Sequence, residues 1–220
     1  MAQRSASSGS AQSARILRFP ERPALPVPAA FGLLRSYWDG LREDGALPRR
    51  SAVDPRGLVP VLDVALLIER IAPGHARIRV AGSRIADLMD MELRGMPLSV
   101  LFEPAAREAL AIRLEQLFVR PAILEMGLEA AQGAFRPSLS GQMLLLPLSG
   151  EDGTVDRAIG CIAIEGRIGR VPRRLAISTD RLSPVPGMLR AGQGSPVRPA
   201  EDRFRETGRA PWLRLVGRSD

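Results

Sequence analysis

Residues 142–148 read Gln-Met-Leu-Leu-Leu-Pro-Leu, and residues 157–165 read Arg-Ala-Ile-Gly-Cys-Ile-Ala-Ile-Glu. Between them lies Asp152-Gly153, a dipeptide typical of tight hairpin turns because both residue types tolerate positive φ. The second run is rich in β-branched residues, which favour a central strand. This stretch predicts an antiparallel hairpin, around which the rest of the chain is arranged.

Two more segments show the alternation of a half-buried strand. In residues 122–130 apolar residues alternate with polar or small ones, and residues 75–81 do the same. Residues 61–68 form a nearly continuous apolar run, consistent with a buried strand or a short buried helix, and the length favours a strand. In residues 75–81 the side chains expected to face the core are Ala76, Ile78 and Val80.

Helical spacing occurs before and between the strands. An amphipathic helix is predicted over residues 30–44, and another over residues 104–120, where Pro104 occupies the first helical position. Short helical turns are expected between residues 85 and 101. Two groups of consecutive strands with helices between them are typical of an α+β domain with an antiparallel sheet.

The composition excludes several kinds of site. The 220-residue chain has one cysteine and one histidine, so it forms neither an internal disulfide nor a zinc site built from cysteine or histidine pairs. No metal site is predicted. No apolar run approaches the length of about 18 residues that a transmembrane helix needs, and residues 1–14 lack the apolar segment of a signal peptide.

All 31 basic residues are arginine, and their distribution is uneven. Residues 31–166 carry 15 arginine residues against 18 acidic residues, whereas residues 167–220 carry 12 against five. The two ends are also rich in proline, glycine and serine, a composition typical of extended or flexible chain. We expect a flexible tail over residues 1–29, a folded domain over residues 30–180 and a flexible arginine- and proline-rich tail over residues 181–220.

The order of the predicted elements resembles that of PAS domains. The closer resemblance is to a single-domain PAS family of alphaproteobacteria that was long classified as a domain of unknown function. The segments that carry it are residues 37–50 (YW to LPRR) with Asp54-Pro55, residues 79–85 (RVAGSRI) running into Leu88, residues 92–98 (ELRGMPL), and residues 144–148 (LLLPL) with residues 157–160 (RAIG). The family has a histidine near the start of the first strand, where this chain reads Val59-Pro60-Val61-Leu62, so no histidine-dependent role is carried over.

The resemblance implies a five-stranded antiparallel sheet with helices on one face, an N-terminal amphipathic helix, and a small pocket between sheet and helices. PAS domains detect ligands, redox state or light, or mediate protein contacts, and stand-alone members act through a partner. The inward apolar residues expected to line the pocket are Leu88, Leu101, Leu114, Leu117, Met126, Leu144 and Ile162. On the N-terminal helix, the residues expected either to pack on the sheet or to contact a partner or a second copy are Leu34, Tyr37, Trp38 and Leu41.

Few side chains suggest chemistry of their own. We expect His75 to be a solvent-facing strand residue rather than a haem ligand, and Cys161 to be a buried, inert thiol rather than a flavin-adduct or redox cysteine. A charged group around a short helix, which forms either a solvated face or a site for a polar ligand, consists of Arg84, Asp87, Asp90 and Glu92. No catalytic group and no cofactor are predicted.

Three hypotheses follow, of which the last is that the pocket is empty and the domain is purely architectural. The first is a cytoplasmic, non-enzymatic PAS-type sensory or protein-interaction module that regulates a signalling partner, with a homodimer and a small apolar ligand left open. The alternative is a protein that binds nucleic acid or an anionic membrane surface through the arginine-rich C-terminal tail. That tail shows no known nucleic-acid-binding motif and no aromatic stacking platform, so nucleic acid is the less favoured partner.

Overall fold

The computed structural model describes residues 25–188. Within this range three α-helices and six strands are joined by short turns and 3₁₀ helices. Their bounds, in chain order, are α1 (Val27–Gly40), β1 (Ala65–Ala72), β2 (His75–Ala81), α2 (Ser83–Met89), α3 (Arg107–Val119), β3 (Ala122–Ala130), β4 (Leu139–Leu148), β5 (Arg157–Glu165) and β6 (Ala176–Pro184).

The six strands form one sheet in the order β2-β1-β5-β4-β3-β6. Every neighbouring pair is antiparallel. The β1–β2, β3–β4 and β4–β5 pairs join consecutive strands, whereas β1–β5 and β3–β6 join strands that are distant in the sequence. In the β4–β5 hairpin Leu144 is opposite Cys161 and Leu145 is opposite Gly160. Position 160 has to be glycine, because a Cβ there would lie 2.3 Å from the carbonyl oxygen of Leu144.

Apolar side chains cover both faces of the sheet. On one face α2, α3 and the 3₁₀ helix Leu98–Leu101 pack over the strands, and we call this buried cluster the helix-side core. On the other face α1 and the 3₁₀ helix Pro55–Val61 cover β4 and β5, and we call that cluster the α1-side core. The sheet is therefore the middle of three layers.

The predicted α+β class with an antiparallel sheet and an N-terminal helix is confirmed, and β5 has the predicted bounds. The sheet has six strands rather than five, because β6 pairs along the outer edge of β3. No strand was predicted at β6, since most of its residues are polar and lack apolar alternation. β6 is only partly buried, with Ile177 and Leu182 against the helix-side core, so this edge strand does not need that alternation.

Two local expectations were wrong. The apolar run over residues 61–68 does not form one strand, because Pro55–Val61 is a 3₁₀ helix and β1 begins only at Ala65. Val80, expected to face the core, is 45% exposed. The cause is a register shift between Leu67 and Ile68, which pair with Val80 and Ile78 and so change the phase of β2.

The folded region extends slightly beyond both predicted boundaries. α1 begins at Val27, before residue 30, and β6 continues to Pro184, past residue 180. The remaining parts of the two predicted tails, residues 1–24 and 189–220, lie outside the described residues. Among the helices of residues 25–188, none has both the length and the apolar character needed to span a bilayer.

Candidate functional site

Six of the seven predicted pocket residues meet in one cluster, the helix-side core. They come from α2, from the 3₁₀ helix Leu98–Leu101, from α3 and from the facing sides of β3 and β5, and they are Leu88, Leu101, Leu114, Leu117, Met126 and Ile162. Their exposed fractions lie between 0% and 2%. At these positions the space between sheet and helices is filled by the side chains themselves.

Leu144, the seventh predicted residue, was assigned to the wrong face. It lies in the α1-side core, while its neighbours Met143 and Leu145 point into the helix-side core. The error has a physical cause, because β4 is buried on both faces from Met143 to Leu148. A continuous apolar run gives no sign of which residue points to which side.

The openings on the surface lie elsewhere. Four of them can be placed, and the largest of these four, about 890 Å³, is a groove between the C-terminal half of α3 and the end of β6, lined by residues that include Val119, Leu182 and Met188. Within residues 25–188, none of the seven predicted pocket residues lines any of these four openings. The predicted pocket is thus separate from these four openings.

One opening gathers part of the charged group that the sequence singled out. Asp63, Arg84, Asp87 and Arg167 line a space of about 610 Å³ between α2 and the loop after β5. The backbone N–H of Arg84 donates to the carbonyl oxygen of Asp63 at 3.0 Å, which fixes the start of α2 against β1. Two acidic and two basic side chains suit a polar ligand that carries both charges. The other two members of the group, Asp90 and Glu92, do not line this opening.

Two of the four residues predicted to contact a partner are buried against their own sheet. Leu34 and Trp38 are 0% and 1% exposed in the α1-side core. The indole Nε1–H of Trp38 donates to the carbonyl oxygen of Pro147 in β4 at 2.9 Å. While α1 is packed in this way, neither side chain is available to another molecule.

The other two predicted contact residues, Tyr37 and Leu41, are half-buried. The Tyr37 hydroxyl donates to the carbonyl oxygen of Asp54 at 2.9 Å and accepts from the Asp54 N–H at 2.8 Å. Its ring lies against Gly57, where a Cβ would be 2.2 Å from the ring edge. Tyr37 therefore attaches α1 to the loop before the 3₁₀ helix Pro55–Val61.

Ion pairs connect α1 to the strands beneath it. Glu125 of β3 accepts hydrogen bonds from Arg35 of α1 and from Arg181 of β6. Partial burial alone would raise the pKa of Glu125, but the hydrogen bonds from Arg181 and Arg35 outweigh it, and the net shift is downward. The carboxylate therefore stabilises the docked helix most when it is ionised.

A second ion pair lies deeper and was not foreseen from the sequence. The side chain of Arg70 is 1% exposed, and its Nη2 donates to Glu115 of α3 at 2.5 Å. The other carboxylate oxygen of Glu115 accepts from the N–H of Gly74 in the β1–β2 turn at 2.7 Å. Glu115 thus ties α3 to the tip of the first hairpin. The only signal in the sequence was a charged pair, Glu69 and Arg70, in a strand whose other residues are apolar.

Arg173 joins two loops through backbone carbonyl oxygens. Its guanidinium donates to Pro137 at 2.9 Å, to Ala131 at 3.3 Å, to Ala130 at 3.4 Å, and also to Ile168. Burial, and to a smaller degree the nearby Arg136 cation, lower the pKa of Arg173. No sequence pattern marked this residue, because its four acceptors are main-chain atoms that any residue type could supply.

The two residues considered for cofactor chemistry occupy the predicted environments. His75 is exposed at the start of β2. Cys161 is fully buried in the α1-side core, and burial raises the pKa of its thiol to about 12 despite a backbone hydrogen bond at Leu144. Within the part of the chain that the structure describes, no three histidine, cysteine or acidic side chains form a group that could hold a metal ion.

Comparisons with known proteins point to one family. A family model described as a PAS domain matches residues 28–163, more than half of the chain. No curated protein matches. A similar solved structure is that of an RNA-binding light-oxygen-voltage receptor, at 21% sequence identity and a TM-score of 0.35. The match covers 53% of this chain and only 35% of the receptor chain, and it is too distant to bear on function.

Proposed function

The chain belongs to the PAS domain family, whose members serve broadly as sensory or interaction modules, and on that premise we propose that it is a non-enzymatic, cytoplasmic module that regulates a signalling partner through protein contact. In this proposal the surface of the folded domain, rather than a bound cofactor, carries the signal. The domain lies within residues 25–188 and includes all six strands.

The observation that carries this proposal is the closed packing of the helix-side core. A ligand held between sheet and helices would need space among Leu88, Leu114 and Met126, and these side chains are at most 2% exposed. Protein interiors are packed as densely as organic crystals, so such a cluster admits a small molecule only after it rearranges. Close packing supports contact at the surface over retention of a ligand.

The reactive side chains of the domain support a structural rather than a catalytic use. The Cys161 thiol has a pKa of about 12 and stays protonated near neutral pH, where only a thiolate would be nucleophilic. The carboxylates of Glu69 and Glu125 each accept hydrogen bonds from two arginines. Those hydrogen bonds lower the pKa of both acids although burial opposes them, and an ionised carboxylate is no general acid at neutral pH.

Native mass spectrometry tests the ligand-free part of the proposal. The full chain, purified from its own host, is compared with a denatured sample of the same preparation. We expect identical protein masses in the two spectra. A mass increment present only in the native spectrum would show a retained molecule and would replace contact-only regulation with ligand sensing.

Regulation of a partner needs a functional readout. The partner is captured by crosslinking in the host and purified, and its own activity is then assayed with and without a stoichiometric amount of the chain. We expect the activity to change and the change to saturate at a fixed molar ratio. An unchanged activity, or turnover of a substrate by the purified chain alone, contradicts the proposal.

A second candidate function rests on charge. Residues 167–220 carry 12 arginine residues against five acidic residues, and clustered arginines bind phosphates in nucleic acids or on anionic membranes. Residues 189–220 lie outside the described residues. Deleting residues 187–220, which hold seven of these 12 arginine residues and four of the five acidic residues, should abolish any salt-sensitive binding of the tail to duplex DNA or to phosphatidylserine vesicles. Binding that survives this deletion removes the candidate.

A further inference from the structure

The connection between β3 and β4 carries the most exposed large apolar side chain of residues 25–188. Phe135 is 87% exposed, against 52% for Ile112 of α3 and 43% for Leu33 of α1. We call this connection, residues 131–138, the β3–β4 tip. A single exposed apolar side chain is ordinary on a protein surface. The backbone of Phe135 is what makes this one unusual.

Phe135 has a backbone conformation that favours glycine. Its φ is 58°, in the left-handed region that bulky residues rarely adopt. The N–H groups of Gly133 and Arg136 each donate to the carbonyl oxygen of the other at 2.9 Å, so Ala134 and Phe135 form a two-residue turn. A turn with positive φ at its second residue usually has glycine or asparagine there. The strained backbone and the exposed ring both disfavour phenylalanine in the free domain, which indicates that its side chain serves a contact.

The β3–β4 tip is braced by the loop after β5. The carbonyl oxygen of Phe135 accepts from the N–H of Arg170 at 2.9 Å. A Cβ at Gly169 would lie only 2.5 Å from Cδ of Pro137, so the two segments are in close contact. Arg173 donates to the carbonyl oxygen of Pro137 at 2.9 Å. The turn is therefore fixed before any molecule binds, which lowers the entropic cost of a contact.

The surroundings of Phe135 are positively charged. The β3–β4 tip and residues 166–175 together carry five arginine residues and no acidic residue. Of these, Arg136 follows Phe135 directly, and Arg167 and Arg170 belong to the bracing loop. Arg167 and Arg170 are exposed, and Arg136 is half-buried. Within residues 25–188 the side chains of these three arginines make no ion pair or hydrogen bond, so their charges are available to another molecule.

The acidic residues at this end of the sheet lie behind the β3–β4 tip. Ser140 is opposite Glu129 in β3 and opposite Glu165 in β5, so both acids belong to one row of the sheet, from which the tip extends. The opening between α2 and the loop after β5 is lined by Arg167 and by two acidic side chains. We therefore expect Arg167 to contribute less to an anion contact than the other two arginines.

A protruding aromatic ring among unpaired arginines suits a partner with negative charge above an apolar interior. An anionic lipid bilayer has both properties. A single-stranded nucleic acid stacks successive bases on several aromatic rings, and the tip has one. A stable protein interface buries roughly 1,200–2,000 Å² of surface, far more than one turn presents. The observations thus favour a membrane surface over the other two partners.

We propose that the β3–β4 tip binds an anionic membrane surface, with Phe135 inserted among the lipids and Arg136 and Arg170 on the lipid phosphates. This inference goes beyond the proposed function. It also differs from the candidate based on the arginine-rich tail, because it needs only residues of the folded domain. The attachment is weak and reversible, since one inserted side chain and a few charges fall short of a stable anchor.

Cosedimentation of the full chain with lipid vesicles tests the proposal. We expect binding to phosphatidylcholine vesicles that contain about one-third phosphatidylserine, weakened by added salt, and none to pure phosphatidylcholine. Phe135→Gly should weaken binding at least about tenfold because the inserted ring is lost. The same change relieves the positive φ, so the midpoint of thermal unfolding should not fall. Phe135→Trp should retain binding, and Ile112→Ala, which truncates an exposed apolar side chain elsewhere, should leave it unchanged.

Charge neutralisation tests the arginines separately. Arg136→Gln and Arg170→Gln should each weaken vesicle binding about fivefold. Arg49→Gln is the matched control and should have no effect, because the exposed Arg49 pairs with Ser149 at the opposite end of β4.

Three results would overturn the proposal. The first is a full chain that does not bind the anionic vesicles, including one that binds a single-stranded oligonucleotide instead. The second is vesicle binding that Phe135→Gly leaves unchanged, which would place the contact in the arginine-rich tail. The third is an equal loss for Arg49→Gln and Arg170→Gln, which would show a general effect of net charge. None of these results bears on the partner assay, so failure here is distinguishable from failure of the proposed function.

Discussion

Both faces of the sheet are covered by helices, but the helices on the two faces are connected to the strands in different ways. α2 and α3, which cover the helix-side core, lie in the chain between β2 and β3, so they cannot leave the sheet without pulling on strands at both ends. α1, which covers the other face, precedes every strand and is attached through one loop after Gly40. Burial alone therefore does not say how firmly a layer is held, because chain connectivity decides whether it can open alone.

The largest expected effect is on the helix-side core. Leu117→Ala removes a fully buried side chain between α3 and the sheet. We expect the free energy of unfolding to fall by about 2–5 kcal/mol, from lost burial and a residual cavity. Urea denaturation followed by circular dichroism measures it. Ile112→Ala on the outward side of α3, assayed at low micromolar concentration, should change stability by less than about 0.5 kcal/mol. A loss below about 1 kcal/mol for Leu117→Ala would show that this core is loosely packed.

The α1-side core offers a chemical reporter of its own opening. Cys161 is buried in the α1-side core, so a thiol reagent reaches it only when α1 or the 3₁₀ helix Pro55–Val61 leaves the sheet. Leu34→Ala should weaken docking of α1 by about 2 kcal/mol or more and raise the labelling rate of Cys161 about 30-fold or more under native conditions. Leu33→Ala is the control and should leave the rate unchanged. If the two variants label equally fast, α1 does not open as an independent layer.

A smaller effect is expected from the hydrogen bond that orients Trp38. Trp38→Phe keeps an aromatic ring in the α1-side core but leaves the carbonyl oxygen of Pro147 without its indole donor. Loss of one buried hydrogen-bond partner costs about 1–3 kcal/mol. Hydrogen exchange should show faster exchange confined to the amides of α1, with the amides of α3 unchanged. Equal acceleration in both helices would mean that the two faces open together.

The smallest expected effect depends on pH. The pKa of Glu125 is lowered in the folded state, so its contribution is present above the ordinary value of 4.5 and is lost as the pH falls through the lower folded value. Its partners are partly exposed, so the contribution should be about 0.2–1 kcal/mol. Glu125→Gln should therefore be less stable than the wild type at pH 7, with the difference shrinking below pH 4.5. Denaturation midpoints from pH 3 to pH 7 measure the difference, and a constant difference contradicts the role of the ionised carboxylate.

Strands in which apolar and polar residues alternate can be predicted from the sequence. The prediction fails for strands that are buried, or exposed, equally on both faces. β5 and the antiparallel class follow from turn chemistry and β-branched content, and both are confirmed. Leu144 was placed on the wrong face because β4 is apolar on both sides, and β6 was missed because it is polar on both sides. In each case the period of two that marks a strand face is absent.

The residues that stabilise the fold by polar contacts are the hardest to predict. Arg70 and Glu115 are 45 positions apart, and their pairing follows from where α3 crosses the first hairpin. Arg173 donates to main-chain carbonyl oxygens, which every residue type has, so its partners cannot be identified from the sequence. The predicted partner face of α1 illustrates the converse, because amphipathic spacing identifies an apolar stripe but not whether its own domain or another molecule covers it.

The four carbonyl oxygens held by Arg173 belong to two segments, one formed by the end of β3 and the connection after it, the other by the connection after β5. A single side chain thus makes these two segments mechanically dependent on each other. The guanidinium of Arg173 links Ile168 to Pro137 directly, without involving the strands between them. The two segments also lie at the same end of the sheet, where β5 ends and β4 begins. We therefore expect a partner that binds at this end to shift the two segments together rather than separately.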